Sequence, residues 1–246
     1  MSRSEDQSGN VLFLILIAVV LFAAVTYAIS ANERQTGENL GRETARIAAS
    51  QIIQHGVALE GAVMRMRVGE NMGDADISFE TPFMSGYANP SCAQEECKVF
   101  SPVGGQVSYA PPDPEWLNAS FSAQKHFGSW LITGTACVPG VGKGSDATCS
   151  ASPEDLEIIA FLPWLTRDIC LELDRRLGIS LDNGNPPKAT GSAWAAAGEE
   201  FTGAFGSGQT LIDGTNFLFF KPEGCFEGNG TPPAGSFHYY RVLFPR

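Results

Sequence analysis

The chain has 246 residues, of which 43% are hydrophobic and 17% are charged, enough for one hydrophobic core of fair size or two small ones. Its formal net charge of −11 at pH 7 argues against a nucleic-acid-binding protein, which needs a basic surface to displace phosphate counterions. All 15 prolines lie at or after Pro82. This distribution predicts a helical first third followed by a turn-rich globular part.

An apolar run follows the short polar start of the chain. No charged residue occurs between Asp6 and Glu33, and the segment from Val11 to Ile29 is almost wholly aliphatic or aromatic. A helix needs roughly 20 such residues to cross the hydrocarbon core of a bilayer. The segment therefore predicts a membrane-spanning helix.

Two other interpretations of this run stay open at the level of sequence. It could be a secretory signal peptide, because Ala28-Ile29-Ser30 offers small residues to a signal peptidase. Against this, the preceding residues are not basic, and the run exceeds the ~7–15 apolar residues of a usual signal core. It could also be an ordinary anchor that the protein retains.

An amphipathic stretch continues the helix pattern to Val68-Gly69 without a turn signal. Its apolar and small residues recur at alternating intervals of four and three, which places them on one helical face. We call this set the buried stripe: Ala45, Ala49, Ile52, Gly56, Leu59, Val63 and Met66. Gly37 and Gly41 are weak points, since each costs about 1 kcal/mol relative to alanine in a helix. The sequence predicts one long helix whose second part packs along one face against a sheet.

These features together resemble the type IV pilin and pseudopilin family. The residues that carry the resemblance are the polar leader "MSRSEDQSG", the apolar run "NVLFLILIAVVLFAAVTYAIS", its amphipathic continuation and the cysteine-bearing part that follows. In that family a dedicated peptidase on the cytoplasmic side cuts after the glycine and commonly N-methylates the new terminus. The resemblance implies that Gly9 ends the leader and that Asn10 begins the mature chain.

The resemblance also implies an organisation and a fate for the chain. Residues 1–9 would be the leader, 10–32 the transmembrane and filament-core helix, 33–69 its amphipathic continuation and 70–246 an extracytoplasmic globular domain. The subunit would reside in the inner membrane and then self-assemble into a helical filament, periplasmic or on the cell surface. The expected fold is α+β and pilin-like, with the long helix packed on a small antiparallel sheet and disulfides stabilising it.

The chain departs from the family pattern at several positions. Leu14 stands where family members usually carry a glutamate, and Asn10 stands where a bulky apolar residue is typical. No basic residue lies close to Gly9, and the proline that many pilin helices carry is missing. A subunit without the glutamate resembles the tip-type minor pseudopilins, or a divergent branch.

The globular part combines short strands with one clear helix. Strands are predicted at 128–138, 156–161, 215–220 and 238–244, which are β-branched or aromatic runs bounded by turn residues. The second of these could instead begin a helix, because the preceding residues Ser152-Pro153-Glu154-Asp155 are types favoured at the N-terminus of a helix. The segment 166–178 predicts a helix that Thr166 can cap and Gly178 can end.

Six cysteines lie in the globular part, which favours disulfides in an oxidising compartment. They are Cys92, Cys97, Cys137, Cys149, Cys170 and Cys225. Zinc binding is the competing interpretation, but the spacing lacks paired C-x-x-C motifs and the histidines do not bracket it. Of the 15 pairings that six cysteines allow, we predict Cys92–Cys97 and Cys137–Cys149 as local closures and Cys170–Cys225 as the long-range link.

Motifs for catalysis or cofactor binding are not found. His55 is predicted to pack on the long helix, His126 to lie in a loop and His238 to lie on the surface or in a sheet. The segments 73–76 and 181–185 could bind calcium weakly, but turns built on Asp and Asn explain them better. The aromatic residues of the loop 188–209 are predicted to pin it to its own domain, a partner surface being the alternative. We therefore expect a structural filament subunit without enzymatic activity, cofactor or metal. A membrane-anchored periplasmic binding protein is the alternative, and an exported enzyme comes third.

Overall fold

The computed structural model describes residues 8–142, 153–189, 199–206, 209–210 and 217–246. The chain divides into two compact units, Met1–Thr44 and Ala45–Arg246. Helix α1, Ser8–Met64, contributes to both units and continues through Gly37 and Gly41. One π-helical turn, Arg65–Gly69, follows it.

The second unit contains the predicted antiparallel sheet. Within the described residues its four main strands are β1 (Leu131–Cys137), β2 (Glu157–Leu165), β4 (Glu223–Glu227) and β5 (Phe237–Phe244). A two-residue strand, β3 (Gln209–Thr210), pairs in parallel with β1, so that the order is β3-β1-β2-β5-β4. The predicted α+β class with an antiparallel sheet is confirmed.

One strand prediction is wrong where it can be checked. Residues 215 and 216 lie outside the described residues, but 217–220 form a turn in which Phe220 adopts a left-handed φ of 61°. The neighbouring strand β4 contains Cys225 and was not among the predicted strands. Its pairing with β5 sets Glu223 directly opposite Arg241, with their side chains 2.6 Å apart. Such a cross-strand ion pair offsets the low strand propensity of glutamate and glycine.

Strand β2 resolves the ambiguity at 156–161 in favour of a strand. The strand continues through Pro163, because the ladder with β5 is interrupted between Leu162 and Leu165. Trp164 takes a φ of 65° in this interruption. A bulge of this kind accommodates a proline, which has no N–H to donate to the ladder.

Helix α2, Arg167–Leu177, follows β2 at the predicted place. Gly178 ends it in the left-handed conformation, with a φ of 66°, as predicted. Thr166 occupies the N-cap position, but its side chain makes no capping hydrogen bond, so that part of the prediction is wrong. The Thr166 backbone N–H donates to the Trp116 carbonyl 2.8 Å away, which ties the start of the helix to another loop.

The core confirms the buried stripe of α1. All seven of its residues are buried. All of them except Gly56 share a hydrophobic cluster with Ile158, Ala160 and Leu162 of β2, whereas Ile159 and Phe161 of the same strand belong to a second cluster. Because successive side chains of a strand point to opposite faces, one face of the sheet packs on the helix and the other on the remaining loops.

Gly56 marks the closest approach of α1 to the sheet. A Cβ atom there would lie 2.5 Å from the Tyr239 hydroxyl and 2.9 Å from Arg241 Cδ. Those two side chains are held by other contacts, since the Tyr239 hydroxyl donates to Glu223 over 2.5 Å and Arg241 pairs with Glu60. Gly61 lies one and a half turns further on and would meet no atom within 4 Å.

We therefore expect alanine at these two glycines to change stability in opposite directions. Gly56→Ala should lower the free energy of unfolding by about 1–3 kcal/mol through overpacking. Gly61→Ala should raise it by about 0.5–1 kcal/mol, because alanine is the better helix former. Urea unfolding of the detergent-solubilised chain, followed by circular dichroism, measures both. Shifts of the same sign would contradict the close approach at Gly56.

Candidate functional site

The first unit presents an apolar surface on all sides of α1 between Leu12 and Tyr27. Every side chain from Leu12 to Tyr27 is exposed, including Phe22 at 74%. The Thr26 hydroxyl donates to the Phe22 carbonyl over 2.8 Å, so that this polar group is satisfied within the helix itself. Contiguous apolar surface of this kind is the usual sign of an interaction site with lipid or protein.

The sequence predicts a membrane-spanning helix from Val11 to Ile29, and the structure does not support this part of the prediction. Within the described part of the chain, no helix is both long enough and apolar enough to span a membrane.

The second unit carries a smaller exposed apolar row along α1 and the π-helical turn that follows it. Ile47, Val57, Met64 and Val68 are all exposed, and Gly61 lies among them. At about 100° per residue, the row falls on the side of the helix opposite the buried stripe. This outer row is a second exposed apolar surface among the described residues.

The predicted processing site lies at the start of α1. Gly9 and Asn10 are helical, because α1 begins at Ser8. Leu14, in place of the family's glutamate, is exposed like its neighbours. These positions are compatible with cleavage after Gly9, which remains a prediction.

The cysteines form two of the predicted disulfides. Cys92 pairs with Cys97, and Cys170 pairs with Cys225, with Cα–Cα distances of 5.7 and 5.5 Å. Cys137 is also disulfide-bonded, and its predicted partner Cys149 lies outside the described residues. The Cys170–Cys225 bond joins α2 to β4, far apart in the sequence.

A buried carboxyl group, Asp174, lies beside that disulfide. Its Oδ1 accepts the Cys225 backbone N–H over 2.9 Å, and its side chain is inaccessible to solvent. Burial raises the pKa of Asp174 to about 8. The sequence reasoning missed this residue, although it lies one helical turn after Cys170 on the buried side of α2.

The three histidines occupy different environments. His55 is partly buried on α1, with its ring 4.9 Å from that of Trp130, and burial lowers its pKa. His126 lies in a loop, as predicted, 3.8 Å from Glu200. His238 lies inside β5 and is fully buried, so the surface alternative was wrong. Burial lowers its pKa to about 3. The structure does not bring the three together.

The two candidate calcium segments are occupied by other contacts. Asp74 pairs with Arg67 and with Arg246, the latter at 3.0 Å. Asp182 and Asn185 exchange backbone hydrogen bonds across a tight turn. Among the described residues, no group of three or more His, Cys, Asp or Glu side chains could hold a metal ion.

Aromatic residues of the loop 188–209 do pin it to the domain where they are described. Phe201 is buried, and its N–H donates to the Ile132 carbonyl over 2.9 Å. Phe205 packs edge-on against Phe201 at 5.3 Å. Trp194 lies outside the described residues.

A groove lies on the second unit between α1 and the segment 110–116. Its volume is about 700 Å³. The helix contributes Gln51, Gln54 and His55 to one wall, and Trp116 lies among the residues of the other. In the sequence, only the stiff proline-rich segment "PPDPEW" points to this groove. That this segment packs beside the helix depends on the tertiary fold and could not be predicted.

Comparison with known proteins adds no relative to this description. No protein-family model, no curated protein and no solved structure matches the chain.

Proposed function

We propose that the chain is a structural subunit of a type IV pilus-like or pseudopilus filament, which assembles through its N-terminal helix. The observation that carries this proposal is the exposure of every side chain from Leu12 to Tyr27. A helix that is apolar on all sides is stable in lipid and also among copies of itself, whereas it is costly in water.

We assign different roles to the two exposed apolar surfaces, the apolar run and the outer row. The apolar run holds the subunit in the inner membrane after synthesis and forms the filament core after assembly. Residence of the subunit in the membrane depends on the whole apolar segment from Val11 to Ile29. The outer row at Val57, Met64 and Val68 adds contacts between neighbouring subunits further along the helix.

The globular unit is suited to display outside the cytoplasm. It has its own hydrophobic core, and the Cys92–Cys97 and Cys170–Cys225 disulfides require an oxidising compartment. A peptidase of the prepilin type would remove residues 1–9 on the cytoplasmic side before assembly.

A membrane-anchored periplasmic binding protein that does not polymerise is the second candidate. The groove beside Trp116 favours it, because a cavity of about 700 Å³ falls within the ~300–1,000 Å³ of small-ligand sites. Both candidates use the apolar helix for membrane residence, and only the filament subunit is recovered in sheared fibres.

Mass spectrometry of the native protein tests the processing step. We expect intact-mass and N-terminal peptide data on protein from membranes and sheared surface material to show a chain beginning at Asn10 and carrying one extra methyl group. A chain beginning at Met1 would favour the simple anchor. One beginning at Ala31 would mean that the run is an export signal.

A matched pair of substitutions tests assembly in the same preparation. Leu16→Gln places an amide on the apolar run, and we expect it to abolish recovery of the chain in sheared fibres. Val103→Gln changes another exposed apolar side chain, in the globular unit, and should leave fibre recovery unchanged. Equal recovery of both variants, or no fibres from the wild-type chain, would contradict the filament proposal.

A further inference from the structure

The groove between α1 and the segment 110–116 is preformed. The Trp130 indole lies in its lining, where its Nε1–H donates to the Ala110 carbonyl over 3.2 Å. The His55 ring packs 4.9 Å from the same indole. These contacts fix the helix wall and the base of the loop relative to each other, so a ligand has little ordering cost to meet.

The loop wall is stiff and apolar. Pro111, Pro112 and Pro114 restrict the backbone, and the Trp116 ring is only partly buried. Asp113 also lines the groove, but its Oδ1 already accepts the Glu115 backbone N–H over 2.9 Å. The flat apolar rings are therefore the main features that this wall offers to a ligand.

The helix wall is polar and carries no formal charge. Gln51 and Gln54 are exposed there, and each side-chain amide can both donate and accept hydrogen bonds. The His55 Nε2 atom is buried and has no hydrogen-bond partner within the described residues. Burial lowers the His55 pKa, so the imidazole is neutral at pH 7.

The charge of the lining excludes anionic ligands. No lysine or arginine is among the residues that line the groove, and Asp113 is its one acidic residue. The chain as a whole carries a net charge of −11. A phosphate or carboxylate would find no cation here and would be repelled at long range.

We propose that this groove binds a neutral oligosaccharide. A sugar ring has one apolar C–H face, which suits the Trp116 indole and the proline rings, and a rim of hydroxyl groups, which suits the exposed Gln51 and Gln54 side chains. A peptide that binds as an added strand draws its affinity from backbone hydrogen bonds at a sheet edge, whereas this groove lies between a helix and a loop and offers side chains. The proposal does not depend on filament assembly.

Saturation-transfer NMR on the full chain tests the proposal directly. The chain is held in micelles of a dimethylamine-oxide detergent, because maltoside and glucoside detergents would compete for the groove. The probes are maltotriose, cellotriose and triacetylchitotriose. We expect at least one of the three to bind, and the Gln51→Ala/Gln54→Ala variant to bind it about tenfold more weakly through the loss of two hydrogen bonds.

The choice of variants separates binding from folding. Gln51 and Gln54 are exposed on a helix, where alanine is well tolerated. Gln124→Ala is the matched control, since this exposed glutamine lines a different and smaller cavity. It should leave the affinity unchanged. Trp116→Ala, checked for folding by circular dichroism, should abolish binding.

Three results would overturn the proposal. One is the failure of all three trisaccharides to bind. Another is binding that the double glutamine variant leaves unchanged, which would place the site elsewhere. The third is binding of a neutral proline–glycine decapeptide without binding of any saccharide, which would make the groove a peptide site.

Discussion

Removing the Cys170–Cys225 disulfide should cost about 4 kcal/mol of unfolding free energy. The bond closes a loop with a sequence separation of 55 residues. In the chain-entropy account, cross-linking a loop of this length removes about 4 kcal/mol of freedom from the unfolded chain. Both cysteines are fully buried, so the Cys170→Ala/Cys225→Ala variant also loses packing between α2 and β4. Urea unfolding of the detergent-solubilised chain measures the loss.

The second described disulfide provides the matched comparison. Cys92–Cys97 has a sequence separation of 5, for which the same account gives about 2 kcal/mol. The Cys92→Ala/Cys97→Ala variant should therefore lose about half as much stability as the other. If this variant lost as much unfolding free energy as the Cys170→Ala/Cys225→Ala variant, or more, the loop-entropy explanation of the long-range bond would be contradicted.

The correct pairing of these cysteines rested on two kinds of sequence information. Cys92 and Cys97 are close enough in the chain for a local closure. Cys170 lies in the predicted helix 166–178, on the side that Ile169, Leu173 and Leu177 share, so the sequence points it toward the core. The buried stripe from Ala45 to Met66 was predictable for the same reason, since apolar residues at helical spacing mark the face of a helix that is buried.

The failures came where tertiary contacts outweigh local preference. The aromatic run at 215–220 has a high strand propensity, yet its described residues form a turn. Glu223 and Gly224 have low propensity, yet they lie in a strand because β5 pairs with them. Asp174 has a charged type of side chain that is rarely buried, and only the fold places it against the Cys225 backbone. The groove likewise could not be predicted from sequence, because its two walls come from segments about sixty residues apart.

Asp174 and His238 predict an unusual dependence of stability on pH. The pKa of Asp174 rises from 3.8 to about 8 in the folded state. The folded chain thus keeps a proton that the unfolded chain releases, and stability falls as the pH rises through this range. The pKa of His238 falls from 6.5 to about 3, so its contribution is lost as the pH falls through that range. The two effects oppose each other between about pH 4 and 6.5, where we expect stability to be highest.

Asp174→Asn isolates the alkaline side of this profile. Asparagine has the shape of the protonated carboxyl group and its carbonyl can still accept the Cys225 N–H. At pH 4 the variant should match the wild-type chain in stability. At pH 8 it should exceed the wild type by several kcal/mol, because each pKa unit corresponds to about 1.4 kcal/mol. Urea unfolding at pH 4, 6 and 8 measures the difference.

Asp168→Asn is the control for this series, since Asp168 is an exposed residue of the same helix. We expect its stability relative to the wild-type chain to stay nearly constant between pH 6 and 8. A constant difference for Asp174→Asn as well would mean that Asp174 is ionised in the folded chain. In that case the carboxylate would need a cation or water near its Oδ2, an atom that has no hydrogen-bond partner among the described residues. A growing difference instead makes Asp174 a neutral hydrogen-bond acceptor that joins α2 to β4 beside the disulfide.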